Sequence, residues 1–297
     1  MKTTRGIAGV LLAVLAAGCG NGTGPQTASQ TAPTSERIAF QSTRPGGTPE
    51  LRVMDPDGSS VQTLLGGPAT YQSPTFSPDG SRIAFSSNRD GQFAIYVMNR
   101  DGTGVARVTG PGTYDDSPSW SPDASRLVFT RLFSLGAALV VANVDGTGET
   151  ALTPVVTSGY LDWPAWSPDG TKIAYTGGGT PHIYVMNADG SGAAPLPALV
   201  GDTVDHAAWS PDGTRLAVHD LAHGIVVMNA DGSNPVALLP RGEYGTEPAW
   251  SPDGASIVFT KVFPGSPRIA RIKADGTGEL ELTTGVGAVD GHPTWSR

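Results

Sequence analysis

The sequence repeats one phrase of twelve residues along most of its length. The phrase is PTFSPDGSRIAF at residues 74–85, and it returns at 118–129, 164–175, 207–218 and 248–259, with its opening letters PTWSR at 293–297. The short apolar run inside or beside each copy begins at residues 38, 83, 127, 173, 216 and 257, so successive units are 41 to 46 residues apart. A period in the forties is typical of propeller blades, which hold four strands each.

Two kinds of tight turn connect the short strands of each unit. In Ser77-Pro78-Asp79-Gly80 the proline presets the second turn position, and glycine takes the left-handed position that follows. A second turn ends in Asp-Gly, as at Asp101-Gly102. Each unit therefore predicts strand A with an aromatic residue, the SPDG turn, strand B, a variable turn, strand C, the Asp-Gly turn and strand D. Ala124 replaces the glycine in one copy, which costs about 1–2 kcal/mol if the backbone stays left-handed there.

The two ends of the repeat are out of phase in a way that predicts how the ring closes. The pattern begins with a strand B at residues 37–40 and ends with a strand A at 293–295. The last strand A can therefore join the first B–C–D strands, which also removes an exposed sheet edge. We expect an all-β fold over residues 36–297: a six-bladed propeller of four-stranded antiparallel blades, closed by the C-terminal strand.

Two further recurrences are interpreted as structural. The strand A aromatics are expected to pack as core between blades: Phe76, Trp120, Trp166, Trp209, Trp250 and Trp295. A basic residue follows four of the turn aspartates by three positions: Arg82, Arg126, Lys172 and Arg215. We interpret these as turn pairs that contribute little individually.

The N-terminal segment predicts export and lipidation. Residues 1–18 combine a basic start with an apolar run that is too short to cross a bilayer, which is typical of a signal peptide. The ending LAAGC resembles a bacterial lipobox, which implies a diacylglycerol on Cys19; an ordinary secretory signal is the alternative. Residues 19–35 are small and polar and predict a flexible tether. Gly20, by resemblance to diderm lipoproteins, implies the outer membrane, facing the periplasm or the cell surface.

The repeat pattern WSPDG…IAF…IYVMNADG…LT resembles that of the TolB-like propellers, a WD-type family, over about residues 36–297. The resemblance implies a binding scaffold of the cell envelope that contacts a protein partner, such as a peptidoglycan-associated lipoprotein. We expect a monomer. The net charge of −8 and the lack of a basic stripe argue against nucleic acid as a partner. No G-x-S-x-G elbow occurs, so we expect no enzymatic activity and no cofactor.

Candidate binding residues concentrate on the end of the propeller that carries the B–C and D–A loops. The set comprises carboxylates and imidazoles: Asp116, Asp162, Asp205, His206, His219, Asp220, His223, Glu247, Asp290 and His292. The acids are expected either to attract a cation or a basic partner loop or, as we favour, to shape the D–A turns. The histidines could bind Zn²⁺ or Mn²⁺, although ordinary loop polarity is favoured and no metal is expected. The alternative function is binding or lyase-like cleavage of a small ligand or glycan on this face.

Overall fold

The computed structural model describes residues 35–197, 203–262, 266–285 and 287–296. The predicted signal peptide, Cys19 and nearly all of the tether lie outside these residues. Regular structure in the described part of the chain is entirely β-strand. No helix there is long and apolar enough to cross a membrane.

Twenty-four short strands occur in the described residues and make up the fold. They are β1 (Ile38–Thr43), β2 (Glu50–Met54), β3 (Gln62–Leu65), β4 (Tyr71–Phe76), β5 (Arg82–Ser87), β6 (Ala94–Asn99), β7 (Ala106–Arg107), β8 (Tyr114–Trp120), β9 (Arg126–Phe133), β10 (Gly136–Asn143), β11 (Thr150–Ala151), β12 (Tyr160–Trp166), β13 (Lys172–Gly178), β14 (His182–Asn187), β15 (Ala194–Pro195), β16 (Val204–Trp209), β17 (Arg215–Asp220), β18 (Gly224–Asn229), β19 (Val236–Ala237), β20 (Gly245–Trp250), β21 (Ser256–Lys261), β22 (Arg268–Lys273), β23 (Leu280–Glu281) and β24 (Val289–Trp295).

These strands form six antiparallel sheets of four strands, which are the blades. Blade 1 has the order β24-β1-β2-β3, and blades 2 to 6 follow the chain as β4–β7, β8–β11, β12–β15, β16–β19 and β20–β23. Each innermost strand contacts the innermost strands of both neighbouring blades, so the six surround one axis. The predicted six-bladed propeller is confirmed.

The core lies between the blades. Strand B of each blade is buried on both faces because it is covered by the blade before and the blade after. In β5, for example, Ile83, Ala84 and Phe85 are all fully buried. One apolar cluster combines Ala84 of blade 2 with Trp120 and Phe129 of blade 3. This arrangement explains why the apolar runs are continuous rather than alternating.

The C-terminal strand closes the ring as the phase of the repeat predicted. β24 pairs with β1, in a register that joins Ile38 to Trp295 and Ser42 to Asp290. The main-chain N–H of Ser296 donates to the carbonyl of Arg37 at 2.8 Å, and the Ser42 hydroxyl donates to Asp290 at 2.6 Å. Residues about 250 positions apart in sequence are thereby held in one sheet.

The SPDG turns have the predicted conformation. The N–H of Gly80 donates to the carbonyl of Ser77 at 2.8 Å, and the Ser77 hydroxyl donates to Asp79 at 2.5 Å. Ala124 keeps the left-handed backbone of the glycine that it replaces, with φ 57°. The strain considered for this position is therefore present in the fold.

The basic residues that follow the turns form no close ion pair with the turn aspartates. No ion pair within 4 Å in the described part of the chain joins them to the turn aspartates. The three guanidinium groups instead lie over the strand A aromatic of the next blade, with Arg82 4.8 Å from the Trp120 ring, Arg126 5.0 Å from the Trp166 ring and Arg215 4.6 Å from the Trp250 ring. Lys172 donates to the side-chain oxygen of Asn187 at 2.7 Å. A cation over an indole face is partly desolvated, whereas an exposed turn pair is screened by water, so the guanidinium groups favour the aromatic rings.

Candidate functional site

Each innermost strand contains a bulge at the same place, and the bulge residue has a left-handed backbone. The pairing register between strands A and B shifts in all six blades. At each shift stands a residue other than glycine with φ between 50° and 57°: Ser73, Ser117, Trp163, His206, Glu247 and His292. Such a conformation costs about 1–2 kcal/mol per residue. Backbone strain of this kind concentrates at functional sites in proteins.

The six bulge residues surround the mouth of the central channel. Together with the residue that follows each of them, which is proline in five blades, they line a cavity of about 130 Å³. The pairing register with strand B differs on the two sides of each bulge. The bulge therefore turns one side chain per blade toward the axis. The B–C hairpins lie at the same end of the propeller. We refer to this cavity as the channel mouth.

Asp116 and Asp162 each hold the backbone of the bulge residue that follows them. The Ser117 N–H donates to Asp116 at 2.7 Å, and the Trp163 N–H donates to Asp162 at 2.7 Å. Burial raises the pKa of Asp116, and the neighbouring Asp162 carboxylate raises it further. Both residues thus hold the bulges of strand A rather than the D–A turns that the favoured interpretation expected, and the charge of Asp162 acts on that of Asp116.

Glu247 is a bulge residue and joins blade 6 to the closing strand. Its Oε2 accepts hydrogen bonds from the Thr260 hydroxyl at 2.6 Å and from the main-chain N–H of His292 at 2.7 Å. Its Oε1 lies 3.1 Å from Nε2 of His292. Burial acts to raise the pKa of Glu247, but the imidazoles of His292 and His206 outweigh it, and the pKa is lowered.

Asp205, His206 and His219 form a group of metal-ligating atoms, the densest among the residues that the structure describes. Asp205 and His219 are register partners on β16 and β17. Oδ1 of Asp205 lies 2.7 Å from Nδ1 of His206 and 2.7 Å from Nδ1 of His219. Burial acts to raise the pKa of Asp205, but the hydrogen bonds from the two imidazoles hold it well below its usual range. The His206 ring stacks on Trp163, with the ring centroids 3.7 Å apart.

Three candidate residues lie elsewhere. Asp220 is buried and accepts the N–H groups of Ala222 and His223, at 2.8 and 2.9 Å, within its own turn. The His223 side chain is 43% exposed and hydrogen-bonds to Asp220. Asp290 is buried in the closing sheet, against Ser42. The HDLAHG stretch therefore divides, and only His219 joins the group at the mouth.

Sequence reasoning missed Trp163, Ser73 and Ser117 as residues of the mouth. The signal was present in the sequence as the residue that precedes proline and stands three places before each strand A aromatic, as in Trp163-Pro164-Ala165-Trp166. Reading a strict alternation along strand A places this residue in the sheet, and only the bulge turns it toward the channel.

The chain matches one protein family along most of its length. The family model described as TolB beta propeller domain matches residues 10–202 and 117–297. A segment of 62 residues is 44% identical to the Tol-Pal system protein TolB of Bordetella pertussis (strain Tohama I / ATCC BAA-589 / NCTC 13251) and covers 21% of this chain. The match spans only 14% of the length of that relative.

Solved structures share the fold at low sequence identity. TolB from Acinetobacter baumannii is 21% identical, with a TM-score of 0.78 over 90% of this chain and 68% of that chain. Oligogalacturonate lyase in complex with manganese is 18% identical, with a TM-score of 0.53 over 83% of this chain and 72% of that chain. At these identities the likeness shows the fold alone.

Proposed function

Because the chain belongs to the TolB beta propeller domain family, we propose that it is a monomeric lipoprotein of the cell envelope that binds a protein partner at the channel mouth. Residues 1–18 are the signal peptide, residues 19–35 are the tether anchored through Cys19, and residues 36–297 are the binding domain. Its role is binding rather than catalysis. The name of the Tol-Pal relative supports a partner in the envelope.

The observation that carries the proposal is the size and lining of the channel mouth. A cavity of about 130 Å³ admits one or two side chains of an inserted segment. Pockets that enclose small ligands are about 300–1,000 Å³, so this cavity is too small to enclose a glycan. Asp116 and Asp162 each accept a hydrogen bond from a residue that lines the mouth, and their carboxylates influence each other electrostatically, which suits a segment with a lysine or an arginine at its tip.

An apolar hairpin beside the mouth offers a second contact for the same partner. The hairpin of β9 and β10 has eight residues in each strand, whereas the equivalent strands of the other blades have five to seven. It exposes Leu132, Phe133 and Leu135, the last of them 78% exposed. Exposed groups of large apolar side chains are typical of protein interaction sites. This hairpin belongs to blade 3, the blade that also supplies Asp116.

Site-specific photo-crosslinking in the envelope of the source organism tests the proposal. A photoreactive residue at Leu135 is expected to form a cross-link to one defined protein, and the same residue at Ser125, in the SPDA turn at the opposite end of blade 3, is expected to form none. Ser117→Trp should fill the mouth and abolish the cross-link, since Trp163 shows that this backbone position accepts tryptophan. Equal cross-linking at both ends, or cross-linking that Ser117→Trp leaves unchanged, would overturn the proposal.

Membrane fractionation tests the anchor separately. Wild-type chain is expected in the outer-membrane fraction and to carry labelled fatty acid, whereas Cys19→Ser is expected to be soluble and unlabelled. Several acyl chains contribute roughly 0.8 kcal/mol per buried CH₂, so the difference between the two variants should be complete. A membrane-bound, labelled Cys19→Ser chain would contradict lipidation of Cys19.

A further inference from the structure

The cluster of Asp205, His206 and His219 has the composition of a transition-metal site. It offers two imidazole nitrogens and one carboxylate oxygen, and one ligand atom from each residue lies within 4.8 Å of the others. Zn²⁺ is bound in proteins by this kind of mixed nitrogen and oxygen set, often with three protein ligands and one open position. Ca²⁺ and Mg²⁺ prefer sets made of oxygen alone.

The backbone holds the three ligands in place independently of any ion. Asp205 and His219 are paired across β16 and β17, the two inner strands of blade 5, at the end that faces the channel mouth. His206 is fixed by its left-handed bulge and by stacking on Trp163 of the neighbouring blade. Ligands on rigid strands lose little conformational freedom when an ion binds.

The three ligand atoms already lie close together, so ion binding requires only a small adjustment of the side chains. Both Nδ1 atoms are 2.7 Å from the same carboxylate oxygen. Ligand bonds of 2.0–2.2 Å in a tetrahedral site require separations of about 3.3–3.6 Å between ligand atoms, so side-chain rotations that move each nitrogen by less than about 1 Å suffice. The three side chains are 14–17% exposed, which leaves a path for an ion from the channel mouth.

His206 also has an unsatisfied ring atom. Its Nε2 is buried and has no hydrogen-bond partner, while Nδ1 faces Asp205. With the proton on Nδ1, the Nε2 lone pair is left unpaired in the interior, which costs about 1–3 kcal/mol. An ion on Nδ1 places the ring proton on Nε2, so Nε2 lacks a partner in either state and its burial does not favour the ion-free cluster.

We propose that Asp205, His206 and His219 bind one divalent transition-metal ion, with Zn²⁺ the best suited, in an open site at the channel mouth. The proposal does not depend on the protein partner, because its ligands all come from this chain. The fourth position opens toward the mouth and is filled by water in the isolated protein.

Calorimetric titration with zinc sulfate tests the site in the full-length chain carrying Cys19→Ser, because a free thiolate would also bind zinc. One Zn²⁺ per chain is expected, with Ca²⁺ and Mg²⁺ giving no saturable binding. His206→Asn and His219→Gln should each weaken zinc binding at least about tenfold. Asn is chosen because it tolerates the left-handed backbone. The matched control is His182→Gln, since His182 contacts the carbonyl of Leu196 and lies outside the cluster.

A cobalt titration of the same Cys19→Ser chain keeps the test decisive if a variant folds poorly. Co²⁺ should give visible ligand-field bands that saturate at one ion per chain and disappear when zinc is added. The absence of saturable binding of zinc and cobalt at millimolar concentration would overturn the proposal. Zinc binding that survives in both His206→Asn and His219→Gln, or that is lost equally in His182→Gln, would overturn it as well.

Discussion

Two carboxylates at the channel mouth should respond in opposite ways when each is replaced by its amide. Asp116→Asn is expected to stabilise the propeller at neutral pH, and Glu247→Gln is expected to destabilise it. Both changes conserve shape and remove one negative charge, so a general effect of net charge would move stability in the same direction for both. The contrast comes from what surrounds each carboxylate.

Asp116 is a buried charge whose neighbours can adapt to an amide. Burial and the Asp162 carboxylate raise its pKa, so the ionised form lowers the stability of the fold at neutral pH. In Asp116→Asn the amide oxygen can still accept from the Ser117 N–H, and the Gln72 amide can rotate to accept a hydrogen bond in place of the one that it donates. A pKa difference of one unit corresponds to about 1.4 kcal/mol, and we expect a gain of about 0.5–1.5 kcal/mol.

Glu247 is an ionised group with fixed donors around it. The His292 N–H cannot change its role, and it shares Oε2 with the Thr260 hydroxyl. In Glu247→Gln an amide oxygen replaces the charged acceptor, and the NH₂ group faces the His292 ring, which is 3.1 Å from Oε1 in the wild type. Hydrogen bonds to charged groups contribute about 1.5–3 kcal/mol, so we expect a loss of about 2–3 kcal/mol.

The pH dependence of both effects follows from the direction of each pKa shift. The pKa of Glu247 is lowered by folding, so its contribution is complete above the unfolded value of about 4.3 and is lost as the pH falls through the folded value. The pKa of Asp116 is raised by folding, so the advantage of Asp116→Asn is complete above the folded value and disappears as the wild-type carboxyl becomes protonated. Both differences from wild type should therefore shrink in acid.

Thermal and urea unfolding of the three proteins between pH 3.5 and pH 8, with EDTA present, measures these differences. For a chain of this size 1 kcal/mol corresponds to roughly 2 °C in melting temperature. We expect Asp116→Asn to melt about 1–3 °C above wild type at pH 7 and Glu247→Gln about 4–6 °C below. The reasoning is refuted if Asp116→Asn is destabilising at pH 7, or if either difference stays constant across the pH range.

Three further predictions concern the scaffold. Ala124→Gly should raise stability by up to about 1 kcal/mol, and the reciprocal Gly170→Ala should lower it by about 1 kcal/mol, because both positions are left-handed; urea midpoints that shift in the same direction would contradict this. Trp120→Phe should cost about 1 kcal/mol by thermal unfolding, because the indole N–H donates across blades to the carbonyl of Thr75 at 3.1 Å. Removing residues 289–297 should abolish the cooperative unfolding transition, and a synthetic peptide of that sequence should restore it, since β24 supplies the inner strand of blade 1.

The sequence alone predicted the blades and the closure of the ring by the C-terminal strand, because each repeat contains recognisable turn motifs. The SPDG turns mark where strand A ends, and the apolar run marks strand B, so four strands per unit and their phase could be counted. The period also showed which strand was missing at each end. The number of strands and their phase depend on turn chemistry and on burial, and both can be recognised in short stretches of sequence.

The composition of the channel mouth was only partly predictable, because a bulge changes which side chain faces the axis. Asp205 and His206 are adjacent in sequence, and both reach the cluster only because the bulge interrupts the alternation of strand β16. In blade 1 the position equivalent to Asp205 is Gly291. Asp290, one residue earlier, lies against Ser42 in the closing sheet instead. A one-residue difference in register reverses the face of a side chain, and the proline that follows the bulge residue in five blades does not by itself show that the alternation is interrupted there.

The left-handed positions at the mouth and those in the turns are occupied by different types of residue. The turns use glycine at this conformation in all but one of the SPDG copies, whereas none of the six mouth positions is glycine although the conformation is the same. Glycine would remove about 1–2 kcal/mol of strain at each mouth position, so the retained side chains point to a role beyond stability.

Ser117→Gly should accordingly raise the free energy of unfolding by about 0.5–1 kcal/mol, measured by urea denaturation, because the bond from its N–H to Asp116 is kept. Ala165→Gly, at an extended position of β12, is the control and should lower the free energy of unfolding by about 0.5–1 kcal/mol. If Ser117→Gly lowers it as much as Ala165→Gly does, the mouth is not strained and this argument for its function fails.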